Sequence, residues 1–168
     1  MSDVTNGAVQ HAAVEDPLAG INEGAPIVGR SELEIAAAPE VVWRVLTAFE
    51  RWPAWNQDVK SISIQGGVAE GSVFRWKAGP GTITSTIQRV ESPRLIAWTG
   101  RTLGIKAIHF FWLEPRNGNT VVRTAESYDG LMARALRGPI QKALDNGLVD
   151  GLRFLKAEAE RVSAGGQG

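Results

Sequence analysis

A histidine, a glutamate and a tyrosine are the residues of this chain whose spacing best suits acid–base chemistry. The pair Asn117-Gly118 is preferred in tight two-residue β-turns, so it fixes which residues of the two flanking strands lie opposite each other. This register places His109 opposite Glu126, with Tyr128 two residues further along the same face. Directly opposed Cβ atoms lie about 5 Å apart, so His109 and Glu126 can share a hydrogen bond.

If this face lines a cavity, Glu126 orients the imidazole of His109 and stabilises its cation, which predicts a raised pKa for the histidine. His109 then acts as a general acid or base, and Tyr128 donates a hydrogen bond to a developing oxyanion. This chemistry suits enolisation or dehydration. The same pair can instead be a structural contact, or a polar anchor that orients a ligand without reacting.

The sequence leaves two faces of this hairpin to choose between. Both faces are largely apolar. The face that does not contain His109 carries four charged residues, which favours the His109 face as the one that points into the molecule. The apolar residues of the opposite face are Ile108, Phe110, Trp112, Val121 and Ala125. Its charged residues are Lys106, Glu114, Arg123 and Asp129.

The elements around the hairpin predict an α+β domain. Residues 27–35 alternate as a first strand, and Pro39 then begins a short helix that ends at the Trp52–Trp55 segment. Residues 59–129 have mainly a period of two, interrupted at glycine, proline and asparagine turns, which predicts six short strands in meander order. After these strands the apolar period becomes helical, with a break or restart at Gly138-Pro139.

We therefore expect a curved antiparallel seven-stranded sheet wrapped around a long C-terminal helix, with one or two short helices after the first strand. A cavity between sheet and helix would be lined by inward strand positions and one helix face. Its tryptophans could stack on a flat ligand, although core packing explains each one taken singly. Besides His109, Glu126 and Tyr128, the predicted lining residues are Trp52, Trp55, Phe74, Trp76, Ile83, Ser85, Ile87, Trp98, Phe111, Thr124, Leu144, Leu148 and Leu152.

Composition predicts one domain between two tails. Residues 1–26 are rich in Ala, Gly, Asn and Asp without periodicity, which predicts a flexible acidic tail, and residues 163–168 are predicted to form a flexible C-terminal tail. The domain then spans residues 27–162. The start of the chain has no basic or apolar leader, and no run of 18 apolar residues occurs, so we expect a cytoplasmic protein without a membrane span.

Composition also argues against several classes of site. Cysteine is absent and His11 lies in the predicted tail, so we expect no metal, haem or other cofactor. The chain has 18 basic and 18 acidic residues, which argues against a nucleic-acid partner. The oligomeric state stays open.

Several motifs in a fixed order resemble the SRPBCC superfamily, in particular its START-like polyketide cyclase/dehydrase and lipid-transport group. The similarity spans residues 27 to 160 and implies the helix-grip fold of that group. The N-terminal tail and the Gly138-Pro139 break depart from its pattern. The motifs are Ala36-Ala37-Ala38-Pro39-Glu40-Val41-Val42-Trp43, Trp52-Pro53-Ala54-Trp55-Asn56, Gly118-Asn119-Thr120-Val121-Val122, Glu126-Ser127-Tyr128-Asp129-Gly130 and Leu152-Arg153-Phe154-Leu155-Lys156.

The resemblance implies a deep cavity for an apolar or aromatic small molecule. Some members of the group catalyse cyclisation, dehydration or hydrolysis there and many only bind, so the fold does not decide the function. Our first hypothesis is a small-molecule-binding protein with the Trp52–Trp55 segment near the cavity entrance. The second is a cofactor-independent cyclase or dehydratase that uses His109, Glu126 and Tyr128. The third is a regulatory interaction module that uses its surface.

Overall fold

The computed structural model describes residues 20–166. The predicted tail residues 1–19, with His11, and residues 167–168 lie outside this range. A strand, two short helices, six strands and a final helix pair follow one another, close to the order that periodicity predicted. The elements are β1 (Ile27–Ile35), α1 (Pro39–Thr47), α2 (Trp52–Trp55), β2 (Val59–Gln65), β3 (Val73–Ala78), β4 (Gly81–Glu91), β5 (Leu95–Thr102), β6 (Ile105–Arg116), β7 (Asn119–Asp129), α3 (Leu131–Ala135) and α4 (Arg137–Gly165).

The seven strands form one antiparallel sheet in the order β1-β7-β6-β5-β4-β3-β2. Strands β2 to β7 are joined by successive hairpins, and β1 closes the far edge by pairing with β7. Register shifts between Val59 and Ser61 and between Ile87 and Arg89 mark β-bulges, which bend strands. The sheet curves around α4, which packs against β1 in particular. This arrangement is the predicted helix-grip fold.

The main core fills one end of the space between sheet and helices. Phe49 stacks on Phe74 with ring centroids 4.7 Å apart, and both side chains are fully buried. The Trp52 indole N–H donates to the Leu46 carbonyl over 2.9 Å, which holds α2 against the end of α1. Tight packing at this end leaves the space near the start of α4 for the cavity described below.

Parts of both predicted tails belong to the described residues. Ile21 packs against the cluster of Leu95, Ala97 and Phe110 on the outer face of the sheet, and the Asn22 N–H donates to the Ser127 hydroxyl over 3.1 Å. Ile21 and Asn22 therefore contact the domain. At the other end, α4 continues to Gly165 and includes three of the residues predicted as tail.

The predicted helix break lies slightly earlier in the chain. Leu136 separates α3 from α4, so Gly138-Pro139 lies in the first turn of α4. Proline is tolerated there because the first backbone N–H groups of a helix have no intrahelical acceptor. The break therefore precedes the proline and leaves α4 continuous.

Candidate functional site

A cavity of about 360 Å³ lies between the sheet and α4. This volume falls within the range of small-molecule sites in proteins, roughly 300–1,000 Å³. Strands β3 to β7 supply most of its wall, α1 and α2 close one end, and one face of α4 covers it. The cavity is therefore the first place to look for a ligand.

Two glycines on α4 keep part of this space open. Gly147 and Gly151 lie one helical turn apart, and both line the cavity. A Cβ atom added at either position would meet no heavy atom within 4 Å. Glycine inside a helix costs roughly 0.5–1 kcal/mol relative to alanine, so the helix loses stability where the cavity gains room.

Most of the residues predicted from strand and helix phase lie on the cavity wall. The three candidate catalytic side chains, His109, Glu126 and Tyr128, lie there together. The other predicted residues on the wall are Trp52, Trp55, Trp76, Ile83, Ser85, Trp98, Phe111, Thr124, Leu144, Leu148 and Leu152.

Phe74 and Ile87 correct the prediction, because neither residue lines the cavity. Both are fully buried in the main core. Their strand phase does point inward, but the Phe49 ring stacks over Phe74, and Ile87 lies at the β4 bulge. Alternation finds the inner face of a strand without showing which of its positions another element covers.

Sequence reasoning missed part of the wall. Side chains alternate between the two faces of a strand, and continuing this alternation along β5 and β6 to the turn between them would have predicted Gly100, Thr102 and Ile105 as wall residues. On α4, the three small residues at four-residue spacing were the available signal. They are Ala143, Gly147 and Gly151.

The β6–β7 register places the titratable pair as predicted. His109 is the direct partner of Glu126, and Ala107 is the partner of Tyr128. The His109 Nδ1 atom lies 3.4 Å from Glu126 Oε1, and its Nε2 atom lies 2.8 Å from the Thr124 hydroxyl oxygen. Trp98 packs against the imidazole with ring centroids 5.0 Å apart. The pair is thus held in a largely apolar wall.

Comparison with protein families decides where this chain belongs. A family model described as polyketide cyclase / dehydrase and lipid transport matches residues 27–160. This chain belongs to that family. No curated protein sequence matches it.

Solved structures show the same fold at low sequence identity. A START superfamily protein from Mycobacterium smegmatis is 18% identical with a TM-score of 0.69, covering 80% of this chain and 98% of that one. The Zhui aromatase/cyclase from Streptomyces sp. R1128 is 17% identical with a TM-score of 0.71, covering 80% and 93%. Norcoclaurine synthase from Thalictrum flavum, in complex with dopamine and hydroxybenzaldehyde, is 16% identical with a TM-score of 0.60, covering 77% and 84%.

Burial sets the charge state of the pair in this polyketide cyclase / dehydrase family member. Desolvation lowers the pKa of His109 to about 3. It also raises the pKa of Glu126 to about 8, although a hydrogen bond from Tyr128 partly opposes this. Both groups are therefore uncharged at neutral pH. The prediction of a raised pKa for His109 is wrong. The apolar wall excludes the water that would stabilise an imidazolium, and the attraction to Glu126 does not compensate for this loss of hydration.

Hydrogen-bond polarity shows which nitrogen of His109 carries the proton when the imidazole is neutral. The Phe110 carbonyl only accepts, so the Thr124 hydroxyl donates to it over 3.1 Å. That hydroxyl oxygen must then accept from the His109 Nε2–H, and because the lowered pKa leaves the imidazole with a single proton, Nδ1 is unprotonated and faces Glu126. The raised pKa of Glu126 places the other proton on the carboxyl group. The His109–Glu126 pair is a neutral base beside a neutral acid.

Neither a metal-binding cluster nor a membrane-spanning helix occurs in residues 20–166. No group of three or more His, Asp or Glu side chains within that range could hold a metal ion. No helix in the same range is long and apolar enough to cross a membrane.

Proposed function

We propose that this protein binds an uncharged apolar or aromatic small molecule in the cavity between the sheet and α4. The observation that carries this proposal is the cavity itself, with its aromatic wall and few polar groups. Its inner polar groups are neutral, and the charged wall residues Asp58 and Arg101 are exposed at the rim. An ionic ligand would lose hydration inside without gaining a charged partner.

Two structurally similar proteins support the aromatic part of this proposal. One is named an aromatase/cyclase, and the other holds dopamine and hydroxybenzaldehyde. In this chain, Trp76 and Trp98 present rings to the cavity, and Phe111 stacks on Trp98 with centroids 5.5 Å apart. Flat rings offer a flat ligand a large contact area in defined geometry.

Native mass spectrometry of the protein purified from its host tests the proposal by identifying a co-purifying ligand. Titration with N-phenyl-1-naphthylamine, an uncharged fluorescent naphthalene, provides a second measurement. Gly147→Leu places a side chain in the cavity and should weaken probe binding at least about tenfold, since it occupies the ligand's volume. Asn146→Leu is the matched control, because Asn146 is adjacent on α4, exposed and not on the wall. Equal affinity for both variants would contradict binding in this cavity.

A second candidate function is acid–base catalysis on a carbonyl compound, and the proton placement at His109 and Glu126 favours it. The 3.4 Å separation is longer than an ordinary N–H···O or O–H···N hydrogen bond, so Nδ1 is available to a ligand. In an enolisation, Nδ1 would take the proton from the carbon next to the carbonyl group. Glu126 or Tyr128 would donate a hydrogen bond or proton to the carbonyl oxygen, and the product would be the enol.

This reaction balances charge inside the cavity. If Glu126 gives its proton to the oxygen while His109 accepts one from carbon, a carboxylate and an imidazolium form together beside each other. The net charge of the buried site stays unchanged, although the ion pair formed is disfavoured by the apolar wall and its cost adds to the barrier. Thr124 would hold the imidazole in the required tautomer through Nε2.

Proton exchange into 2-tetralone, an uncharged bicyclic aromatic ketone, tests this second function without knowledge of the natural substrate. In D2O, exchange at the carbon next to the carbonyl group is followed by proton NMR. His109→Phe should lower the protein-catalysed rate by about two orders of magnitude or more, the usual contribution of a general base. Asn146→Leu should leave it unchanged. An unchanged rate in His109→Phe, or no catalysis by the wild type, would refute the catalytic function. Ligand binding would then be the only function proposed for the cavity.

A further inference from the structure

An exposed apolar surface lies at the end of the molecule that carries the β5–β6 turn and α3. Leu131 is 78% exposed, Leu103 63%, Leu136 46% and Met132 37%. We call these four residues the α3 patch. Single exposed leucines are ordinary, but four large exposed apolar side chains in two neighbouring segments need an explanation.

Backbone packing holds the two segments together. Met132 lies over Gly104, since a Cβ atom added to Gly104 would be 3.2 Å from the Met132 side chain. Gly130 approaches the Gly104 carbonyl so closely that a Cβ atom there would lie 2.2 Å from the oxygen. The α3 patch is therefore a fixed feature of the folded domain.

The backbone conformation of Leu103 also suggests that its side chain has a role other than stabilising the fold. Its φ is +43°, in the left-handed region that bulky residues rarely adopt. Asparagine, aspartate or glycine would fit this turn with less strain. The chain instead places a leucine there and leaves it exposed. Both the backbone strain and the exposure disfavour this residue in the isolated domain.

Positive charge predominates in the two segments that carry the α3 patch. The segments 101–106 and 129–142 contain five basic residues and one acidic residue, a net charge of +4, whereas the whole chain is neutral. The acidic residue, Asp129, is paired with Arg134. The basic residues are Arg101, Lys106, Arg134, Arg137 and Lys142. A rigid apolar patch inside a basic rim has the composition of a surface that binds anionic lipid headgroups.

The α3 patch also adjoins the cavity. Thr102 and Ile105, which flank the β5–β6 turn, line the cavity, as does Ile140 in the first turns of α4. A surface pressed against the α3 patch would consequently lie at this end of the cavity. The position suits transfer of an apolar compound between a lipid layer and the protein interior.

We propose that the α3 patch docks this protein onto an anionic lipid surface. Leu103, Leu131, Met132 and Leu136 enter the headgroup region, and the basic rim contacts lipid phosphates. A second copy of the chain is the competing occupant, but a two-fold contact would place +4 against +4. Docking itself does not depend on the proposed ligand site. Only its use in delivering a ligand rests on that proposed function.

Co-sedimentation with vesicles tests the proposal on the full chain. Vesicles of phosphatidylcholine with one third phosphatidylglycerol should bind the protein, pure phosphatidylcholine vesicles should bind it much less, and added salt should weaken binding. Leu131→Asp should lower binding about tenfold or more, and Arg137→Glu with Lys142→Glu by roughly a hundredfold, because each charge near the surface contributes. Val68→Asp is the matched control, since Val68 is exposed to the same degree as Met132 but lies in the β2–β3 loop.

Each outcome decides the proposal. Equal binding by Leu131→Asp and Val68→Asp, or no binding by the wild type, would overturn it. A concentration-dependent dimer in sedimentation velocity that Leu131→Asp abolishes would also overturn it and assign the patch to self-association. Circular dichroism and the N-phenyl-1-naphthylamine titration separate this test from the ligand site, because Leu131→Asp should leave both unchanged.

Discussion

The neutral His109–Glu126 pair predicts an unusual dependence of stability on pH. Glu126 has a folded-state pKa of about 8 against an ordinary value of 4.5, so the folded protein holds a proton that the unfolded chain releases. Its contribution to the free energy of unfolding is present below pH 4.5 and is lost as pH rises to about 8. His109 acts in the opposite direction. Its folded pKa of about 3 against 6.5 makes stability fall as pH drops below 6.5.

The two contributions oppose each other between pH 4.5 and 6.5, and only Glu126 acts between pH 6.5 and 8. Each pH unit in that upper window changes the free energy of unfolding by about 1.4 kcal/mol per proton. The wild type should therefore lose about 1–2 kcal/mol between pH 6.5 and 8, since Glu126 is already half ionised at pH 8. Burial raises the pKa of Tyr128 well above 10, so the phenol does not titrate in this window.

Urea denaturation at several pH values measures this slope directly. Glu126→Gln keeps the shape of the side chain but removes its titration, so its free energy of unfolding should be flat between pH 6.5 and 8. His11→Asn is the control, because His11 is the only other histidine and lies outside the described residues. A wild type without this slope would mean that Glu126 is ionised and has passed its proton to His109. A slope that persists in Glu126→Gln would assign the loss to another group.

Further predictions concern the α4 glycines and the two tryptophans of α2. Gly147→Ala with Gly151→Ala should raise the free energy of unfolding by about 1–2 kcal/mol, since each new Cβ has space and alanine favours the helix. The same double variant should bind N-phenyl-1-naphthylamine more weakly. Trp52→Ala should lower the free energy of unfolding, measured by urea denaturation, by about 3–5 kcal/mol, because Trp52 is 5% exposed and its indole N–H donates a hydrogen bond to the Leu46 carbonyl. Trp55→Ala should cost clearly less, since Trp55 is only partly buried.

Local turn chemistry is the reason that the sequence predicted the pairing of His109 with Glu126. A two-residue Asn117-Gly118 turn admits one register, and that register alone brings His109 opposite Glu126 across β6 and β7. Period-two alternation then assigns both residues to one face. These are short-range constraints, so they can be evaluated without knowing what packs on the sheet.

Properties that depend on long-range packing could not be predicted in the same way. Phe74 has the inward phase of a cavity residue, but Phe49 from the segment after α1 covers it. The pKa of His109 depends on how much water Trp98, Phe111 and α4 exclude, which a strand pattern does not encode. Sequence reasoning therefore placed the pair correctly and assigned its charge state wrongly.

The charge state matters more than the placement for the choice between binding and catalysis. An imidazolium–carboxylate pair would favour a charged or strongly polar ligand, and its histidine could not accept a proton at neutral pH. The neutral pair instead offers a lone pair on His109 Nδ1 and an acidic proton on Glu126, both within one apolar wall. An uncharged carbonyl compound can use both groups at once without any change in net charge. Both proposed functions, binding of an uncharged ligand and acid–base catalysis, therefore depend on the same physical feature, the burial of this pair.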